Sequence, residues 1–359
     1  MMDRRKFIQL CCASTALFAV NNSLLGQVKN KLPSNKKCTS CIKPIAGTWF
    51  EFKHHLDVEG VYWNPMLSEF TDGQWHNLIK DISETGMQYL ILMSVADNGK
   101  TFYPTNLQPR YDYICKDPLE VVLNAADEFG LKFFISNDFW SDFRNVDKMM
   151  TDKDIAILRE KGMEEVAQKY SHHTSFYGWY FPNETGIFNT IDETTIKYVN
   201  RCSEVAHQLT PRAKTLIAPY GTKSIRYDDL YIRQLERLDV DIIAYQDEVG
   251  VKKTKVGAAG KYFEALYRMH NKAGRSRLWA DLEIFEFEKD VYTSALVPSV
   301  IDRVLAQMED ITPFVENILI YQYQGLMSKP GSISKIGHTR AEELYSDYMT
   351  WYKKQQGLL

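Results

Sequence analysis

The amino-acid sequence predicts an α/β protein built as a single (β/α)8 TIM barrel, and three observations lead to this fold class. From residue 45 onward, short apolar runs rich in β-branched and aromatic residues alternate with helical patterns, as parallel strands and crossover helices do. Eight such runs occur, and eight is the strand number of this barrel. An open doubly wound sheet would carry a glycine-rich phosphate turn after its first strand, and the segment Gly47-Thr48-Trp49-Phe50-Glu51 is not one.

Each strand is predicted where an apolar run of roughly four to ten residues is bounded by polar or turn-forming residues. In chain order the predicted strands are 45–52, 87–96, 131–138, 176–181, 215–219, 241–246, 277–284 and 317–323.

The predicted helices lie between and after these strands, at 71–85, 117–129, 152–170, 193–209, 228–238, 258–273, 296–309 and 339–352. Local signals mark several of their ends. Asp117 followed by Pro118 is typical of an N-cap with proline at the first helical position. Gly86 and Gly130 each stand between a helical pattern and a strand, as C-terminal caps do.

Composition limits the classes of function. The chain has 359 residues, 45% hydrophobic and 25% charged, with a net charge of -3, which gives no electrostatic reason to expect a nucleic-acid partner. The 21 Tyr, 18 Phe and 7 Trp suit a large core and also a cleft that stacks sugar rings. No Gly-x-Ser-x-Gly elbow or P-loop occurs, and we expect no cofactor.

The first residues predict a targeting signal. Arg4 and Arg5 precede an uncharged, mostly apolar run from Phe7 to Val20 that is short for a membrane span. The pair resembles the twin-arginine export signal, and an ordinary secretory signal is the alternative. Either one implies a periplasmic or extracellular protein without stable membrane insertion after signal removal. We therefore expect an export signal at 1–26, a polar linker at 27–44 and the barrel at 45–357.

The cysteines suggest no metal or redox centre. Cys38 and Cys41 have C-x-x-C spacing but lack a second pair or a preceding strand, so an optional surface disulfide is the simpler interpretation. Cys115 and Cys202 are expected to be separate thiols.

Histidines likewise suggest no metal. His54-His55 and His172-His173 are adjacent pairs, which lack the spacings that place two imidazoles on one side of a metal. The second pair precedes the fourth strand, at the end of a barrel that serves stability, and we expect it to be structural.

Barrel active sites lie at the C-terminal ends of the strands, so the polar residues predicted there are the candidates. They combine carboxylates and amides, which bind hydroxyls, with aromatic rings, which cover sugar faces. The candidates are Glu51, Asp138, Trp140, Asn183, Glu184, Tyr245, Gln246, Asp247, Asp281 and Glu283. Trp63 and Trp140, in loops after strands, are the better stacking candidates.

Glycosidic cleavage needs two carboxyl groups. Asn183-Glu184 after the fourth strand and Glu283 at the end of the seventh resemble the layout of the large clan of retaining glycosidase barrels. That resemblance implies Glu184 as acid/base, Glu283 as nucleophile, Asn183 as a partner for a sugar hydroxyl, and a hydrogen bond from Tyr245 to the nucleophile.

The second carboxylate has rivals. With period-2 alternation, Trp279, Asp281 and Glu283 share the face that points into the barrel. Glu283 lies nearer the C-terminal end of the strand and is preferred, while Asp281 and Asp247 remain open alternatives.

Three longer stretches, 171–184, 245–250 and 279–285, resemble a family of exported bacterial barrels known as domain of unknown function 4434. The family is regarded as glycosidase-related, so the resemblance implies the barrel fold and action on a glycan. A non-catalytic barrel that only binds carbohydrate is the second hypothesis. A barrel for carbonyl or phosphate substrates ranks last, because the loops after strands seven and eight lack a glycine-rich phosphate site.

Overall fold

The computed structural model describes residues 42–184 and 186–359. The predicted export signal and the Cys38–Cys41 pair lie outside the described residues. All eight predicted strands are present, most of them shorter than predicted by one or more residues at an end. They are β1 (Ile45–Phe50), β2 (Tyr89–Leu92), β3 (Lys132–Ser136), β4 (Phe176–Tyr180), β5 (Lys214–Ile217), β6 (Ile242–Gln246), β7 (Arg277–Glu283) and β8 (Ile318–Tyr321).

The strands form one closed, parallel barrel in which each strand pairs with its sequence neighbours and β1 pairs with β8. The single (β/α)8 barrel is therefore confirmed. Register matters for the site, because Glu283 of β7 stands opposite Tyr321 of β8, and Asp281 stands opposite Gln246 of β6.

The helices cover the outside of the barrel, and residues 43–359 form one compact unit. They are α1 (Asn64–Leu67), α2 (Asp72–Ser83), α3 (Pro118–Phe129), α4 (Val146–Thr151), α5 (Lys153–Tyr170), α6 (Glu193–Leu209), α7 (Asp229–Arg237), α8 (Gly260–Ala273), α9 (Ile301–Ile311) and α10 (Ala341–Gln355). No helix among the described residues has the length and apolarity needed to cross a membrane.

The predicted caps of α3 are confirmed. The Asp117 side chain accepts a hydrogen bond from the Glu120 N–H, and Pro118 occupies the first helical position. Gly130 follows the helix with a φ of 69°, the left-handed conformation that glycine adopts without steric cost. These caps fix the point at which the chain enters β3.

The predicted helix at 296–309 begins later, at Ile301, and this prediction was wrong at its first turn. Leu296–Pro298 instead pairs antiparallel with Phe285–Phe287. Val297 precedes Pro298, and a residue before proline is biased toward extended backbone, so the first turn of a helix is disfavoured there. The resulting hairpin stands directly after β7, at the C-terminal end of the barrel.

Aromatic side chains fill the barrel interior. The rings of Tyr89 and Trp279 lie 4.9 Å apart, and Trp49 packs edge-on against Tyr180 at 5.8 Å. All four side chains are buried in one apolar cluster. Because this cluster closes the middle of the barrel, any ligand must bind above it, among the loops at the C-terminal ends.

Candidate active site

Glu184 lies at the end of the segment that leaves β4. Pro182 ends the strand because it has no N–H to donate, and the Glu184 N–H turns back to the Pro182 carbonyl at 2.7 Å. The side chain is half-buried, and the Tyr180 hydroxyl donates to its Oε1 at 3.4 Å. Glu184 therefore stands at the mouth of the barrel, directly above the interior cluster.

Asp281 points into the barrel from β7, as the alternation predicts, and only 3% of it is exposed. Burial raises the pKa of its carboxyl well above the usual value, and the charges of Glu184 and Glu283 raise it further. Its Oδ1 atom has no hydrogen-bond partner among the described residues. Asp281 is thus a buried carboxyl group with a raised pKa, within electrostatic reach of both Glu184 and Glu283.

Glu283 is the last residue of β7 and is 4% exposed. Its Oε2 accepts a hydrogen bond from the Val251 N–H at 2.8 Å. Burial and the charge of Asp247 raise the pKa of Glu283 well above its usual value, while the Val251 hydrogen bond and the charge of Lys253 lower it. Burial and the charge of Asp247 outweigh these two groups, so the pKa of Glu283 is raised overall.

Asp247 forms hydrogen bonds with the backbone of β7 and with a side chain of helix α9. Its Oδ1 accepts from the backbone N–H groups of Glu283 at 3.2 Å and Val249 at 3.3 Å, and its Oδ2 accepts from Gln307 Nε2 of α9 at 2.6 Å. Burial raises its pKa to about 6 despite these hydrogen bonds. Bonded to helix α9 and to the backbone of β7, Asp247 holds Glu283 in position.

Glu51 lies after β1 and is fully buried. It accepts from Trp63 Nε1 at 2.8 Å and from Gln322 Nε2 at 2.7 Å, and both its oxygens lie within 3.1 Å of His54 Nδ1. His54 Nε2 lies 3.2 Å from Glu59. Burial lowers the pKa of His54, but the two carboxylates outweigh burial and raise it to about 10. This placement suits Glu51 to join β1 to the segment after β8 rather than to contact a sugar.

Tyr321 lies between the Glu51–His54 pair and the carboxyl groups of Glu184 and Asp281. Its hydroxyl lies 3.0 Å from His54 Nδ1 and 3.5 Å from Glu51 Oε2. Burial raises its pKa well above the usual value, and the charges of Glu51, Glu59, Glu184 and Asp281 raise it further. The sequence places Tyr321 at the C-terminal end of β8, but Tyr321 is not among the residues predicted for the site.

Asp138 and Asn183 hold the turn that carries Glu184. Asp138 is fully buried, and its Oδ2 accepts from Arg159, from Tyr198 at 3.0 Å and from Asn183 Nδ2 at 2.7 Å. The Asn183 Oδ1 atom has no hydrogen-bond partner among the described residues. Asp138 is thus placed to orient the Asn183-Glu184 segment, and Asn183 keeps one acceptor for a hydroxyl.

Neither tryptophan chosen for stacking has a ring face open to a ligand in this structure. Trp140 is 1% exposed, donates to the Asn137 carbonyl at 3.0 Å and packs against Gly162 of α5. Trp63 is fully buried against Glu51. Their position in loops suggested exposure, but both loops fold back onto the barrel, so the stacking prediction was wrong for both rings.

Tyr245 and Gln246 lie on opposite faces of β6. The Tyr245 hydroxyl pairs with Tyr231 at 3.0 Å and with His270 at 3.1 Å, on the helix side of the barrel. The predicted hydrogen bond from Tyr245 to Glu283 is therefore not formed. Gln246 is half-buried, shares the inward face with Ala244, and donates to the Ala218 carbonyl at 3.2 Å.

Two aromatic rings not predicted from the sequence lie beside Gly186, two residues after Glu184. A Cβ added to Gly186 would approach Tyr220 at 2.7 Å and Phe188 at 2.9 Å, so both rings flank this backbone. Phe188 is 45% exposed, and the Lys253 ammonium lies 4.9 Å from the centre of the Tyr220 ring. These rings are better placed than Trp63 or Trp140 to contact a sugar.

The barrel is shared with glycosidases of known structure. One, from Bacteroides thetaiotaomicron and named as a candidate alpha-L-fucosidase, has 15% identity and a TM-score of 0.65, covering 93% of this chain and 99% of that one. The endo-beta-1,4-mannanase from Thermotoga petrophila has 11% identity and a TM-score of 0.55, covering 86% and 77%. The endo-1,4-beta-mannanase from Rhizomucor miehei has 9% identity and a TM-score of 0.51, covering 87% and 95%. At these identities the likeness shows the fold alone.

A sequence comparison with curated proteins gave no match. The comparison with protein families matched residues 45–334, which span the eight strands and both sides of the candidate site. On this match over most of its length, the chain belongs to the family described as domain of unknown function 4434 (DUF4434).

Proposed function

We propose that the protein is a glycoside hydrolase in which Glu184 is the acid/base and Glu283 the nucleophile. The observation that carries the proposal is the arrangement of carboxyl groups at the mouth of a glycosidase-type barrel. Glu184 follows β4, Glu283 ends β7, and both raise the pKa of Asp281 by their charge. Two carboxyl groups on opposite sides of a scissile bond are the requirement of this chemistry.

Glu283 is preferred over its rivals because it is the last residue of β7 and so lies nearer the C-terminal end of the strand than Asp281 does. The Val251 N–H and the charge of Lys253 both favour its carboxylate. Asp281 has no group among its principal neighbours that lowers its pKa. The carboxylate of Asp247 is already engaged by hydrogen bonds from Gln307 of α9 and from the backbone of β7.

Glu184 suits the acid/base role because it is half-buried and can exchange protons with solvent. In a retaining reaction its carboxyl proton passes to the leaving glycosidic oxygen while Glu283 forms a bond to the sugar carbon. Glu184 then takes a proton from the water that breaks this bond. The Tyr180 hydroxyl, 3.4 Å from Glu184, supports the carboxylate between the two steps.

A carbohydrate is the substrate that the remaining groups fit. Tyr220 and Phe188 lie beside Gly186, two residues after Glu184, and Gln246 and Asn183 place amides at the same end of the barrel. The raised pKa of Asp281 favours its protonated form, which could donate a hydrogen bond to a sugar hydroxyl. Rings for the apolar face and amides for the hydroxyls form the combination that sugar binding requires.

The test is a depolymerisation screen over a panel of polysaccharides and aryl glycosides with wild type, Glu184→Gln and Glu283→Gln. We expect wild type to cleave at least one glycan and each variant to lose about 10²–10⁴-fold in kcat, while glycan affinity persists. Asp281→Gly is the matched comparison for Glu283→Gly: azide should rescue only the variant that lacks the nucleophile. Proton NMR of the first product should show retention of configuration.

A carbohydrate-binding barrel without turnover is the alternative, and it is favoured by the near-complete burial of Asp281 and Glu283, at 3% and 4% exposure. Glycan binding by wild type with no hydrolysis of any bound glycan would establish it. If the protein neither binds nor cleaves any glycan of the panel, the carbohydrate assignment fails.

We also propose that the protein is exported through its arginine pair, Arg4 and Arg5. Cell fractionation of a bacterium that expresses the full chain measures this directly. Replacement of both arginines by lysine should leave the protein in the cytoplasm. Unchanged export of that variant would assign the segment to an ordinary secretory route.

A further inference from the structure

A second cluster of chemically active side chains lies at the opposite end of the barrel from the candidate active site. His172 and His173 form the turn between α5 and β4, and Glu120 lies in the first turn of α3. One ligand atom from each of the three residues lies within 4.8 Å of the others. The two imidazole rings lie side by side, with centroids 4.2 Å apart and planes tilted by 35°.

The buried histidine of this cluster is held in a defined orientation. His173 Nδ1 lies 2.7 Å from Asp127 Oδ2. Asp127 is itself fixed through Oδ1, which accepts from the Ser175 N–H at 2.6 Å and from the Thr174 hydroxyl at 2.9 Å. A carboxylate on one imidazole nitrogen fixes the ring tautomer and leaves the other nitrogen as a lone-pair donor, as in most histidine–metal sites.

That other nitrogen, His173 Nε2, points at Glu120 Oε2 from 3.2 Å. Two lone pairs at this distance need either a proton or a cation between them. Two ligand atoms bound to Zn²⁺ at 2.0–2.1 Å with a tetrahedral angle are about 3.3 Å apart, close to the observed separation.

We propose that Glu120, His172 and His173 form a binding site for one Zn²⁺ ion, with a water molecule as the fourth ligand. Imidazole and carboxylate are ligands that zinc prefers. His172 is exposed, which gives the ion a path from solvent. The ion would bind α3 to the turn before β4 and stabilise the fold, because the N-terminal end of a barrel serves stability rather than catalysis.

The alternative for this cluster is a plain ion pair, with a protonated His173 between Glu120 and Asp127. That arrangement gives His172 no part, although its ring centre lies 4.2 Å from that of His173. Metal binding uses both rings in their neutral form. The adjacent spacing alone did not indicate a metal site, but the fold places both imidazoles beside Glu120, and a shared cation would engage all three side chains.

The structure brings a similar trio together at the other end of the barrel, Glu51, His54 and His55. Its geometry does not suit a metal. Glu51 already accepts hydrogen bonds from Trp63 and Gln322, and both Glu51 and His54 are buried, which leaves an ion no path from solvent. An imidazolium has no lone pair to offer, so this trio serves as an ion-pair network.

The experiment uses the tag-free mature protein, stripped with EDTA and titrated with ZnCl₂ by calorimetry, with Tm recorded in parallel. We expect one Zn²⁺ per chain and a rise in Tm of about 2 °C or more at saturation. His172→Gln and Glu120→Gln should each weaken zinc binding by about tenfold or more and abolish the rise in Tm. Both variants keep the buried His173–Asp127 pair, so they should fold.

His76→Gln is the matched control, because it removes an exposed histidine that pairs with Glu128 at 2.8 Å outside any such cluster. It should bind zinc as wild type does. A wild-type Kd weaker than about 1 mM, or equal zinc binding by wild type, His172→Gln and Glu120→Gln, would overturn the proposal and leave a plain ion pair.

Discussion

At the scale of single residues, two buried aspartates of the site show how nearby hydrogen-bond donors determine the effect of a buried carboxyl group on stability. Asp247 has two backbone N–H groups and the Gln307 amide around it. Asp281 has an oxygen with no hydrogen-bond partner among the described residues, and the charges of three carboxylates act on it. An aspartate therefore stabilises the fold at position 247 and destabilises it at position 281.

We expect Asp281→Asn to raise Tm at pH 7 by about 2 °C or more. The folded-state pKa of Asp281 is raised, so its contribution to stability is lost as pH rises from the unfolded value near 3.8 through the folded value. An amide carries no charge to bury, so the gain should be largest at neutral pH and shrink as the pH approaches 4. Thermal melts from pH 4 to 8 measure this, and a gain independent of pH would contradict it.

Asp247→Asn is the matched control and should act in the opposite direction. Its amide nitrogen cannot accept from Gln307, whose Nε2 also donates to the Glu283 carbonyl at 3.2 Å and so cannot turn away freely. We expect a loss of about 1 kcal/mol in the free energy of unfolding. Because Asp247 orients the backbone of Glu283, kcat on any glycan found should fall as well.

Sequence reasoning located the inward face of β7 at this scale but not the partners of each residue. Strand alternation depends only on neighbouring positions, so it correctly placed Asp281 and Glu283 inside the barrel. The environment of Asp247 depends on Gln307, which lies 60 positions further along the chain. Spacing along a sequence contains no information about such a contact, and for the same reason the burial of Trp140 against α5 was not foreseen.

At the scale of elements, α5 shows how one loop residue restricts a helix. Gly162 lies in the middle of α5, where glycine ordinarily costs stability. A Cβ at this position would lie 2.0 Å from Trp140 Cζ2. The helix can therefore pack this close to the loop after β3 only because residue 162 has no side chain.

We expect Gly162→Ala to lower the free energy of unfolding by about 1–3 kcal/mol, although the same change stabilises most helices. Gly73→Ala in α2 is the control, because the nearest atom to its Cβ would be 3.9 Å away. That variant should gain about 0.5 kcal/mol. Urea denaturation of both variants checks the two signs, and a stabilised Gly162→Ala would mean that Trp140 moves without cost.

Element boundaries were predictable where a local signal exists. The caps of α3 consist of Asp117, Pro118 and Gly130, whose preferences are intrinsic to the residue types. The hairpin after β7 was missed because its first strand, Phe285–Phe287, lies directly after β7, and its second, Leu296–Pro298, was assigned to a helix. Pairing between strands is a tertiary preference, and only Pro298 signalled it locally.

At the scale of the whole molecule, the barrel is closed where β1 meets β8, and a buried charged network lies at the top of this seam. Glu51 leaves β1, Gln322 follows β8, and the two are joined by a 2.7 Å hydrogen bond. His54 supplies the positive charge that allows Glu51 and Glu59 to be buried. The closure of the barrel is therefore coupled to the protonation of one imidazole.

The sign of the resulting pH dependence follows from the pKa of His54, which is raised from 6.5 to about 10. The native state binds this proton more tightly than the unfolded state does. The stabilisation is complete below pH 6.5 and is lost as the pH rises through about 10. His270 behaves in the opposite way: burial lowers its pKa to about 4, so its contribution is lost as the pH falls from 6.5 toward 4.

We therefore expect the free energy of unfolding of wild type to fall between pH 6.5 and 10, and His54→Gln to be less stable than wild type at pH 6.5 by a margin that narrows toward pH 10. Urea denaturation at half-unit pH steps measures the free energy of unfolding of both proteins. Subtracting one pH curve from the other cancels the contribution of the lysines and tyrosines that the two proteins share. His270→Gln should leave this alkaline difference unchanged and alter the acid side instead, because its proton is bound only in the unfolded chain above about pH 4. A constant margin between wild type and His54→Gln would show that the imidazole is neutral in the native barrel and that hydrogen bonds, rather than charge, hold the seam.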